Sequence, residues 1–306
     1  MRILITGPTS FSGAFFIEAL NQAGHDVVTT FTQAVNRYCG VRKLRAEKSA
    51  SNATVHEGIS FGDERFLALI QAESFDVFCH HGAWTTDYNS EDYDFERAFA
   101  NNTRSMRQVC RALADRGCQK IIVSGSIFEE GEKLFSPHGL VKRLTAETTS
   151  FYGNQSGMHV STFIIPNPFG PLDNPKLIDY LCREWYAGRV PQIRTPLYVR
   201  DNIPVTLMAQ GFVHWVTHCP AHVGTSSYAP AGYISTMGEF AHRVAAELRP
   251  RLQLDCAVEL GIQTDFSQPM VLVNDNPLQH QFSAWNEDLF WDSLADHQRY
   301  LSQLRS

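Results

Sequence analysis

Short apolar runs alternate with stretches of helical periodicity from the first residue to about residue 165. This alternation is typical of strands joined by crossover helices, which form a parallel sheet. A strand that is apolar at every position, such as Ile121-Ile122-Val123, indicates that both faces of the sheet are covered. Strands are predicted at Arg2–Thr6, Asp26–Phe31, Ala53–Glu57, Asp76–His80, Lys120–Ser124 and His159–Ile165. Helices between them are predicted at Phe11–Ala23, Glu64–Gln71, Phe95–Arg116 and His138–Phe151. The pattern predicts a doubly wound α/β fold.

The pattern changes after Pro166, where proline and glycine cluster and the strict alternation stops. Thr236 and Glu239 have the spacing of a capping box, which predicts a helix start. Helices in this part are predicted at Pro175–Ala187, Val205–Thr217, Thr236–Leu248 and Glu287–Leu304. We therefore predict two domains: residues 1–166, and a smaller mixed α/β lobe of residues 167–306 packed on the first.

Composition places the chain among ordinary globular proteins. It has 306 residues, of which 43% are hydrophobic and 19% charged, and this excludes disordered and collagen-like classes. The net charge is −6, and the only basic stretch is a modest one from Arg37 to Lys48. A nucleic-acid partner would need a basic field, so none is expected.

The seven cysteines are scattered and never form a C-x-x-C pair. This usage fits a reducing cytoplasm rather than a disulfide framework or a zinc site. No segment approaches the roughly twenty apolar residues of a membrane span. We expect a cytoplasmic protein without a membrane partner.

A candidate phosphate-binding loop, Thr6-Gly7-Pro8-Thr9-Ser10-Phe11-Ser12-Gly13, lies between the first strand and the first helix. Backbone amides at such a turn can hold a pyrophosphate, and glycine is needed where the backbone approaches it. Gly7 and Gly13 supply this at the two ends, while Ser10 occupies the middle position. A strand-to-helix turn without a ligand is the alternative.

This loop resembles the TGxxGxxG motif of the extended short-chain dehydrogenase/reductase family, the NAD-dependent epimerases and dehydratases of sugar nucleotides. Asn102, within Asn101–Ser105, resembles the helix start of a further motif of that family. Other segments resemble further motifs of the family in the expected order: Phe75–Ala83, Val123–Ser126, Pro166–Pro171 and Val199–Val205. The resemblance covers essentially the whole chain. It implies a Rossmann-like cofactor domain and a C-terminal substrate-binding lobe.

The resemblance also implies an active site with a Y-x-x-x-K pair and a serine from the preceding strand. Here the segment Ser136-Pro137-His138-Gly139-Leu140-Val141-Lys142 places histidine where tyrosine is usual. A spacing of four puts His138 and Lys142 on one helix face, and Ser126 completes the predicted catalytic set. A neutral imidazole is suited to act as a base at pH 7. The alternative is that His138 is the remnant of a lost active site.

For the cofactor, the resemblance implies NAD or NADP, and the choice between them stays open. Thr30-Phe31-Thr32 has no carboxylate for the adenosine ribose, and the basic residues Arg37, Arg42, Lys43 and Arg45 are interpreted as a loop that either reaches a 2′-phosphate or is simply solvated. The predicted cofactor-binding residues are Gly7, Ser10, Phe11, Gly13, Phe31, Ile59, His81, Gly82, Lys142 and Pro166.

For the substrate, Asn167 and Arg200 match family positions that bind the diphosphate of a nucleotide sugar, with Ser126 on the sugar. Gln268 stands where a second phosphate-binding arginine is usual. His80 and His81 point to opposite sides of a strand, so no metal site is predicted. The resemblance also implies a homodimer formed through the helices Phe95–Arg116 and His138–Phe151.

Family dehydratases carry an acidic residue beside the catalytic serine, and Glu129, Glu130 and Glu132 follow Ser126 here. We expect this acidic segment to be a solvated loop. The predicted function is an NAD(P)-dependent epimerase, dehydratase or reductase that acts on a nucleotide-linked or related sugar. The alternative is a catalytically silent dinucleotide-binding sensor or subunit partner.

Overall fold

Strands and helices alternate through the first half of this computed structural model, which describes residues 1–88, 90, 92–129, 136–278, 281–282 and 285–305. The elements up to residue 165 are β1 (Arg2–Thr6), α1 (Phe11–Gln22), β2 (Asp26–Phe31), α2 (Gly40–Ala50), β3 (Thr54–Glu57), α3 (Glu64–Ala72), β4 (Val77–His80), α4 (Phe95–Thr103), α5 (Met106–Asp115), β5 (Lys120–Ser126), α6 (Pro137–Gln155) and β6 (His159–Ile165). Those that follow are β7 (Asn167–Phe169), α7 (Leu177–Tyr186), β8 (Gln192–Ile193), β9 (Val199–Pro204), α8 (Val205–His218), β10 (Gly224–Tyr228), β11 (Pro230–Ala231), β12 (Tyr233–Thr236), α9 (Met237–Leu252), β13 (Glu259–Leu260), β14 (Val271–Leu272), β15 (Asn276–Pro277) and α10 (Glu287–Arg305).

The main sheet has seven strands in the order β10-β6-β5-β4-β1-β2-β3, and every neighbouring pair is parallel. The order reverses between β1 and β4. In open α/β sheets, ligands bind in the crevice at such a reversal, beyond the carboxyl ends of the strands. The predicted doubly wound parallel sheet is confirmed.

The chain divides into a first unit, residues 1–165 and 209–230, and a second unit, residues 166–208 and 231–306. The first boundary lies one residue from the predicted one. Residues 209–230 were expected in the second domain, but β10 adds a seventh strand beside β6, from Gly224 opposite His159 to Tyr228 opposite Phe163. Hydrophobic patterning missed this strand because Gly-Thr-Ser-Ser-Tyr contains no aliphatic residue.

Two helices differ from the predictions. The predicted helix Phe95–Arg116 is two helices, α4 and α5, because Ser105 adopts a left-handed conformation with φ of 53° between them. The basic segment interpreted as a loop is mostly the helix α2. Most residues of α2 are charged or polar, and its buried side is narrow: Arg45, Ala46 and Ser49. The Arg45 guanidinium carbon lies 5.6 Å from the centre of the Phe11 ring.

Apolar side chains cover both faces of the seven-stranded sheet, as the continuously apolar strands predicted. On one face, Leu4, Phe78 and Ile121 pack with Phe66 and Val109. On the other, Phe16 of α1 stacks on Phe212 of α8 with ring centres 4.0 Å apart and meets the edge of Phe163. This burial is the main stabilising contribution to the first unit.

The second unit has its own core and its own small sheet, in which β12, β9 and β14 are neighbours and β7 also pairs with β9. Phe169, Phe240 and Trp291 lie at the centre of an apolar cluster supplied mainly by α7, α9 and α10. Two short pairs, β11 with β15 and β8 with β13, complete its strands. Thr236 caps α9 in a capping box with Glu239, as predicted.

No helix in the described residues has the length and apolar content needed to cross a membrane. All seven cysteines are free, and six of them are buried. Burial raises the pKa of Cys110 and of Cys118 to about 12. These two thiols are therefore protonated at neutral pH and are not nucleophiles.

Candidate active site

The predicted phosphate loop joins β1 to α1 through a turn held by Ser10. Ser10 is the N-cap of α1: its Oγ accepts a hydrogen bond from Gly13 N at 3.0 Å and donates one to Gly7 O at 2.9 Å. Serine is among the best N-cap residues because its short side chain reaches an amide of the first turn. The serine that departs from the family motif therefore has a local structural role.

The loop lies very close to the end of β4. Gly7 has φ of +78°, and a Cβ at this position would lie 2.8 Å from Gly82 Cα. A Cβ on Gly13 would lie 2.3 Å from Gly7 O. Thr6 Oγ1 accepts hydrogen bonds from His81 N and Gly82 N at 3.1 and 2.9 Å, which fixes β4 beside the loop. The glycines are thus required by the packing of the loop itself.

His81 lies beneath the loop and connects it to β5. Its Nε2 is 2.9 Å from Ser10 Oγ, and its Nδ1 is 2.6 Å from Ser124 Oγ. Because the Ser10 hydroxyl proton is donated to Gly7 O, Nε2–H is the donor to Ser10 and Nδ1 accepts from Ser124. Burial lowers the pKa of His81 to about 3, with a further contribution from Lys142. The imidazole is therefore neutral.

His80 points the other way, as predicted. Its ring stacks on Phe61 at 4.1 Å between ring centres, and its Nε2 lies 2.8 Å from Asn102 O. Burial lowers the pKa of His80 to about 4. The Asn102 side chain accepts a hydrogen bond from Trp84 N at 2.9 Å and so shapes the segment after β4. Asn102 was matched to a helix start, but it lies in the last turn of α4, and the helix start falls at Met106.

The loop fits the pyrophosphate of a dinucleotide. The first amides of a helix have no intrahelical partner, and here the Ser10 side chain occupies only that of Gly13. The amides of Phe11 and Ser12 remain for a phosphate, at the positive end of the helix dipole. Gly7 and Gly13 leave the backbone accessible without a side chain in the way.

Three further predicted cofactor residues lie elsewhere. Phe31 and Ile59 are both buried, and Ile59 N donates to Phe31 O at 2.9 Å, which ties the loop after β3 to the end of β2. Pro166 is the first residue of the second unit. Its contact with a cofactor stays a prediction.

The helix that carries the histidine–lysine pair begins where its sequence indicates. Ser136 caps α6 by accepting a hydrogen bond from Gly139 N at 3.1 Å, and Pro137 occupies the first turn. A Cβ on Gly139 would lie 2.6 Å from Phe128 O, so this glycine lets α6 rest on the turn that follows β5. In that turn Phe128 N donates to Ser126 Oγ at 3.3 Å. Gly139 thereby places the start of α6 beside Ser126.

Two tyrosine rings, those of Tyr88 and Tyr93, pack against His138. Its Nδ1 is 3.4 Å from Tyr93 Oη, and the ring centres of Tyr88 and Tyr93 are 5.3 and 5.8 Å from its own. Tyr93 Oη donates its proton to Trp84 O at 3.3 Å, so Nδ1–H of His138 is the donor in the contact with Tyr93. Nε2 then carries the lone pair. Burial, followed by the charge of Lys142, lowers the pKa of His138 to about 4.

Lys142 is buried one turn further along α6, where its ammonium lowers the pKa of His80, His81 and His138 alike. Burial lowers the pKa of Lys142 itself, and the charge of Glu129 opposes that shift. Glu129 was expected in a solvated loop, but it is half-buried, and a Cβ on Gly125 would lie 3.3 Å from its Oε2. Glu130 and Glu132 lie outside the described residues.

Two of the three predicted substrate residues, Asn167 and Arg200, lie in the second unit, and Ser126 lies in the first. Asn167 Nδ2 donates to Asn202 Oδ1 at 2.6 Å. Arg200 Nη1 donates to Val199 O and Pro269 O at 2.9 and 3.0 Å, and its Nη2 donates to Gln268 Oε1 at 3.0 Å. Among the residues that the structure describes, these contacts leave the Nε–H and one Nη2–H of Arg200 for a ligand.

Sequence reasoning assigned no role to the side chains of Tyr93, Thr6 and Ser124, which position groups of the site. Tyr93 meets His138 only through the tertiary fold, so no local pattern signals it. Thr6 and Ser124 were placed in strands by their apolar neighbours. Their hydroxyls carry a functional signal only once β1, β4 and β5 are known to be adjacent.

Parallel sheets with this strand order, in which a glycine-containing loop follows the first strand, are typical of dinucleotide-binding domains. The first unit belongs to this class of domain. A family model narrows the class: residues 3–224 match the NAD dependent epimerase/dehydratase family. The chain belongs to this family, as its motifs predicted, and a nicotinamide dinucleotide, NAD or NADP, is the cofactor that membership supports. No curated protein sequence matches the chain.

Solved structures of similar fold cover nearly the whole chain. A UDP-glucuronic acid 4-epimerase from Bacillus cereus, in complex with UDP-glucuronic acid and NAD, has a TM-score of 0.75 at 16% identity over 98% of this chain and 100% of its own. A UDP-glucose-4-epimerase from Stenotrophomonas maltophila, with bound NAD and formylated UDP-arabinopyranose, has a TM-score of 0.74 at 16% identity over 99% of each chain. A dTDP-glucose 4,6-dehydratase from Streptomyces venezuelae, with NAD bound, has a TM-score of 0.71 at 15% identity over 100% of this chain and 98% of its own. These likenesses show the fold.

Proposed function

We propose that this chain is an NAD(P)-dependent epimerase, dehydratase or reductase of a nucleotide-linked or related sugar, and that Ser126, His138 and Lys142 carry the reaction. The observation that carries the proposal is the state of His138. Gly139 sets the start of its helix against the turn after β5, and an Nδ1–H donated to Tyr93 Oη, 3.4 Å away, leaves Nε2 as the lone-pair nitrogen of an imidazole whose pKa is lowered by burial and by Lys142. That is the form a proton acceptor needs.

Each of the three residues has a distinct role in this proposal. A bound nicotinamide ring supplies hydride exchange at its C4. His138 Nε2 accepts the proton of the sugar hydroxyl as that carbon is oxidised, and it returns the proton when the carbon is reduced. Ser126 Oγ hydrogen bonds the same oxygen and holds it for transfer. Lys142 would hydrogen bond the nicotinamide ribose, and its charge adds to burial in keeping His138 neutral.

The lowered pKa of His138 has a mechanistic consequence. An imidazolium at this position is disfavoured by burial and by the Lys142 ammonium. The protonated form is therefore short-lived, and the proton returns readily to the substrate oxygen. This suits a reversible oxidation and reduction at one carbon better than a net release of protons.

Two lines support a nucleotide sugar as the substrate. Arg200 keeps two N–H groups for a phosphate, and its plane is supported by the Tyr198 ring, 4.5 Å from the guanidinium carbon. In addition, solved structures of similar fold hold UDP-linked sugars. Arg200 and Asn167 are the proposed diphosphate contacts.

A turnover screen tests the proposal. The protein would be incubated with UDP- and dTDP-linked sugars and either dinucleotide, and products would be followed by NMR. His138→Ala should lower kcat by about 10²–10⁴-fold while dinucleotide affinity stays unchanged, since the histidine transfers a proton rather than binding the cofactor. Binding of a dinucleotide without turnover of any sugar, even for His138→Tyr, would favour the silent binding protein instead.

We also propose that the chain forms a homodimer through α4, α5 and α6. These helices carry an open groove lined by Phe99, Met106 and Tyr152, and the Phe151 side chain is 59% exposed beside it. Phe151→Glu should shift the mass measured by light scattering from dimer to monomer, while Thr217→Glu, at an exposed position of α8 outside these three helices, should not. A monomeric parent protein would contradict the proposed dimer.

The cytoplasmic location stays a prediction.

A further inference from the structure

The end of β2 decides which dinucleotide a sheet of this kind accepts. In NAD-binding proteins an Asp or Glu near this point accepts hydrogen bonds from the adenosine ribose hydroxyls, whereas an arginine accommodates the 2′-phosphate of NADP. Here Thr30, Phe31 and Thr32 close β2 without a carboxylate. Glu57, at the end of neighbouring β3, is engaged as acceptor for Val35 N at 2.7 Å.

Arg42 bridges the phosphate loop and the segment after β2. It lies in the first turn of α2, and its Nη2 donates to Thr9 Oγ1 at 3.2 Å. Its guanidinium carbon lies 5.4 Å from the centre of the Tyr38 ring. Tyr38 Oη in turn lies 3.2 Å from Thr32 Oγ1. Thr9, Thr32, Tyr38 and Arg42 therefore form one cluster, here called the adenosine-end cluster.

The cations around this cluster differ in how they are engaged. Lys43 pairs with Glu47 at 3.7 Å, and Lys48 pairs with Glu18. Arg45 is buried over the Phe11 ring. Within the described ranges, no carboxylate forms an ion pair with Arg42. Its positive charge is held in place by a hydroxyl and a ring, neither of which neutralises it.

We propose that the chain prefers NADP(H) to NAD(H) and that Arg42 binds the 2′-phosphate of the adenosine ribose. This rests on the proposed function, and it names the cofactor within it. A planar guanidinium can donate two parallel hydrogen bonds to a phosphate, and the Tyr38 ring beneath it limits the loss of side-chain freedom on binding. The hydroxyls of Thr9 and Thr32 can donate to the remaining oxygens.

Calorimetric binding to the full chain tests this independently of turnover. NADP⁺ and NAD⁺ would be titrated in parallel, together with adenosine 2′,5′-bisphosphate and adenosine 5′-monophosphate, which differ only by the 2′-phosphate. We expect the ligand that carries the 2′-phosphate to bind at least about tenfold more tightly in each pair, the usual effect of one charge-assisted contact.

Variants then assign the preference to Arg42. Arg42→Ala should weaken NADP⁺ binding about ten- to a hundredfold and leave NAD⁺ binding within about twofold. Lys43→Ala is the matched control, since it removes the same charge from the next position of α2, and it should weaken NADP⁺ by less than about threefold. Thr32→Asp, at an exposed position, should weaken NADP⁺ about tenfold by charge repulsion and leave NAD⁺ unchanged or tighter. Thermal melting would verify that each variant is folded.

The outcomes are distinguishable. Equal or tighter binding of NAD⁺ by the parent protein overturns the preference while the proposed function stands. An equal loss of both dinucleotides in Arg42→Ala overturns the role of Arg42. Failure of the parent protein to bind either dinucleotide overturns the proposed function and this inference with it.

Discussion

Tyr93 Oη lies 3.4 Å from His138 Nδ1, and Tyr93 donates its own proton to the carbonyl of Trp84. The tyrosine oxygen therefore accepts a hydrogen bond from Nδ1–H of the histidine, which leaves Nε2 as the basic nitrogen. A group on the remote nitrogen of an imidazole selects its tautomer and orientation, which is a common arrangement at catalytic histidines. Tyr93 is a positioning residue in the proposed mechanism.

Tyr93→Phe should lower kcat about tenfold with little change in KM, because the tautomer is no longer selected while the substrate contacts remain. Tyr88→Phe is the matched control: the Tyr88 ring also packs near His138, but its hydroxyl makes no hydrogen bond to the histidine among the described residues. The measurement is steady-state kinetics on the substrate found in the screen. Equal effects of the two variants would show that Tyr93 acts only by packing.

The pH dependence of catalysis follows from the pKa of His138, which burial and Lys142 lower to about 4. The neutral form is the working form, so kcat/KM should stay level from about pH 8 to pH 5 and fall as the pH approaches 4. Lys142→Met should move this fall to higher pH, because one of the two causes of the lowered pKa is removed. A fall centred near pH 6.5 in the parent protein would contradict the burial of a functional His138.

Stability should also decrease toward acid. The pKa values of His80 and His81 are about 4 and 3 in the folded chain, against about 6.5 in the unfolded chain. Their neutral forms stabilise the fold fully above pH 6.5, and this contribution is lost as the pH falls from 6.5 toward 4. Each histidine adds about 1.4 kcal/mol per pH unit to the slope. Urea unfolding at several pH values measures it, and His81→Gln should lower the slope by about that amount.

The phosphate loop should not tolerate a methyl group at Gly13. The new Cβ would lie 2.3 Å from Gly7 O and 2.6 Å from Ser10 Oγ, so the loop must move. Gly13→Ala should weaken dinucleotide binding at least about tenfold and destabilise the fold by about 1–3 kcal/mol. Gly82→Ala is a graded comparison, because its contacts of 3.2–3.3 Å are tight but can be relieved. Calorimetry and thermal melting of the two variants should separate them clearly.

Ser105 offers a stabilising substitution. A left-handed conformation costs a residue with a side chain about 1–2 kcal/mol, and glycine avoids that cost at an entropic loss of about 0.5–1 kcal/mol. Ser105→Gly should therefore raise the free energy of unfolding by about 0.5–1 kcal/mol, measured by urea unfolding. Ser51→Gly is the control: Ser51 has φ of −75°, where glycine gains nothing and the unfolded chain gains entropy. Destabilisation by both variants would mean that Ser105 contributes through its side chain.

Local patterns predicted the features that depend on neighbours in sequence. The ends of β1, β2 and β6 agree with the apolar runs, and α6 begins within one residue of its predicted start because Ser136 and Pro137 signal it. The loop glycines and the pairing of His138 with Lys142 on one helix face were likewise accessible from spacing alone.

The remaining features depend on tertiary contacts that no window of sequence contains. The strand β10 is polar and forms only because β6 offers an unpaired edge. The helix α2 is stabilised by burial of the aliphatic part of the Arg45 side chain. Because arginine is usually exposed to solvent, the sequence pattern did not indicate this burial. Glu129 differs from the solvated acidic loop expected for it because the Lys142 ammonium lies nearby. Tyr93 reaches His138 across 45 residues of chain.

Thr6 Oγ1 accepts two hydrogen bonds, and these fix the end of β4 beside the phosphate loop. The two amides, His81 N and Gly82 N, are consecutive in the segment that follows β4. The position of this segment against β1 therefore does not depend on the side chains of residues 8–12. A glycine in place of Ser10 should therefore loosen the turn that its hydroxyl holds and leave Gly82 fixed against β1, because the two amide bonds to Thr6 do not involve residue 10.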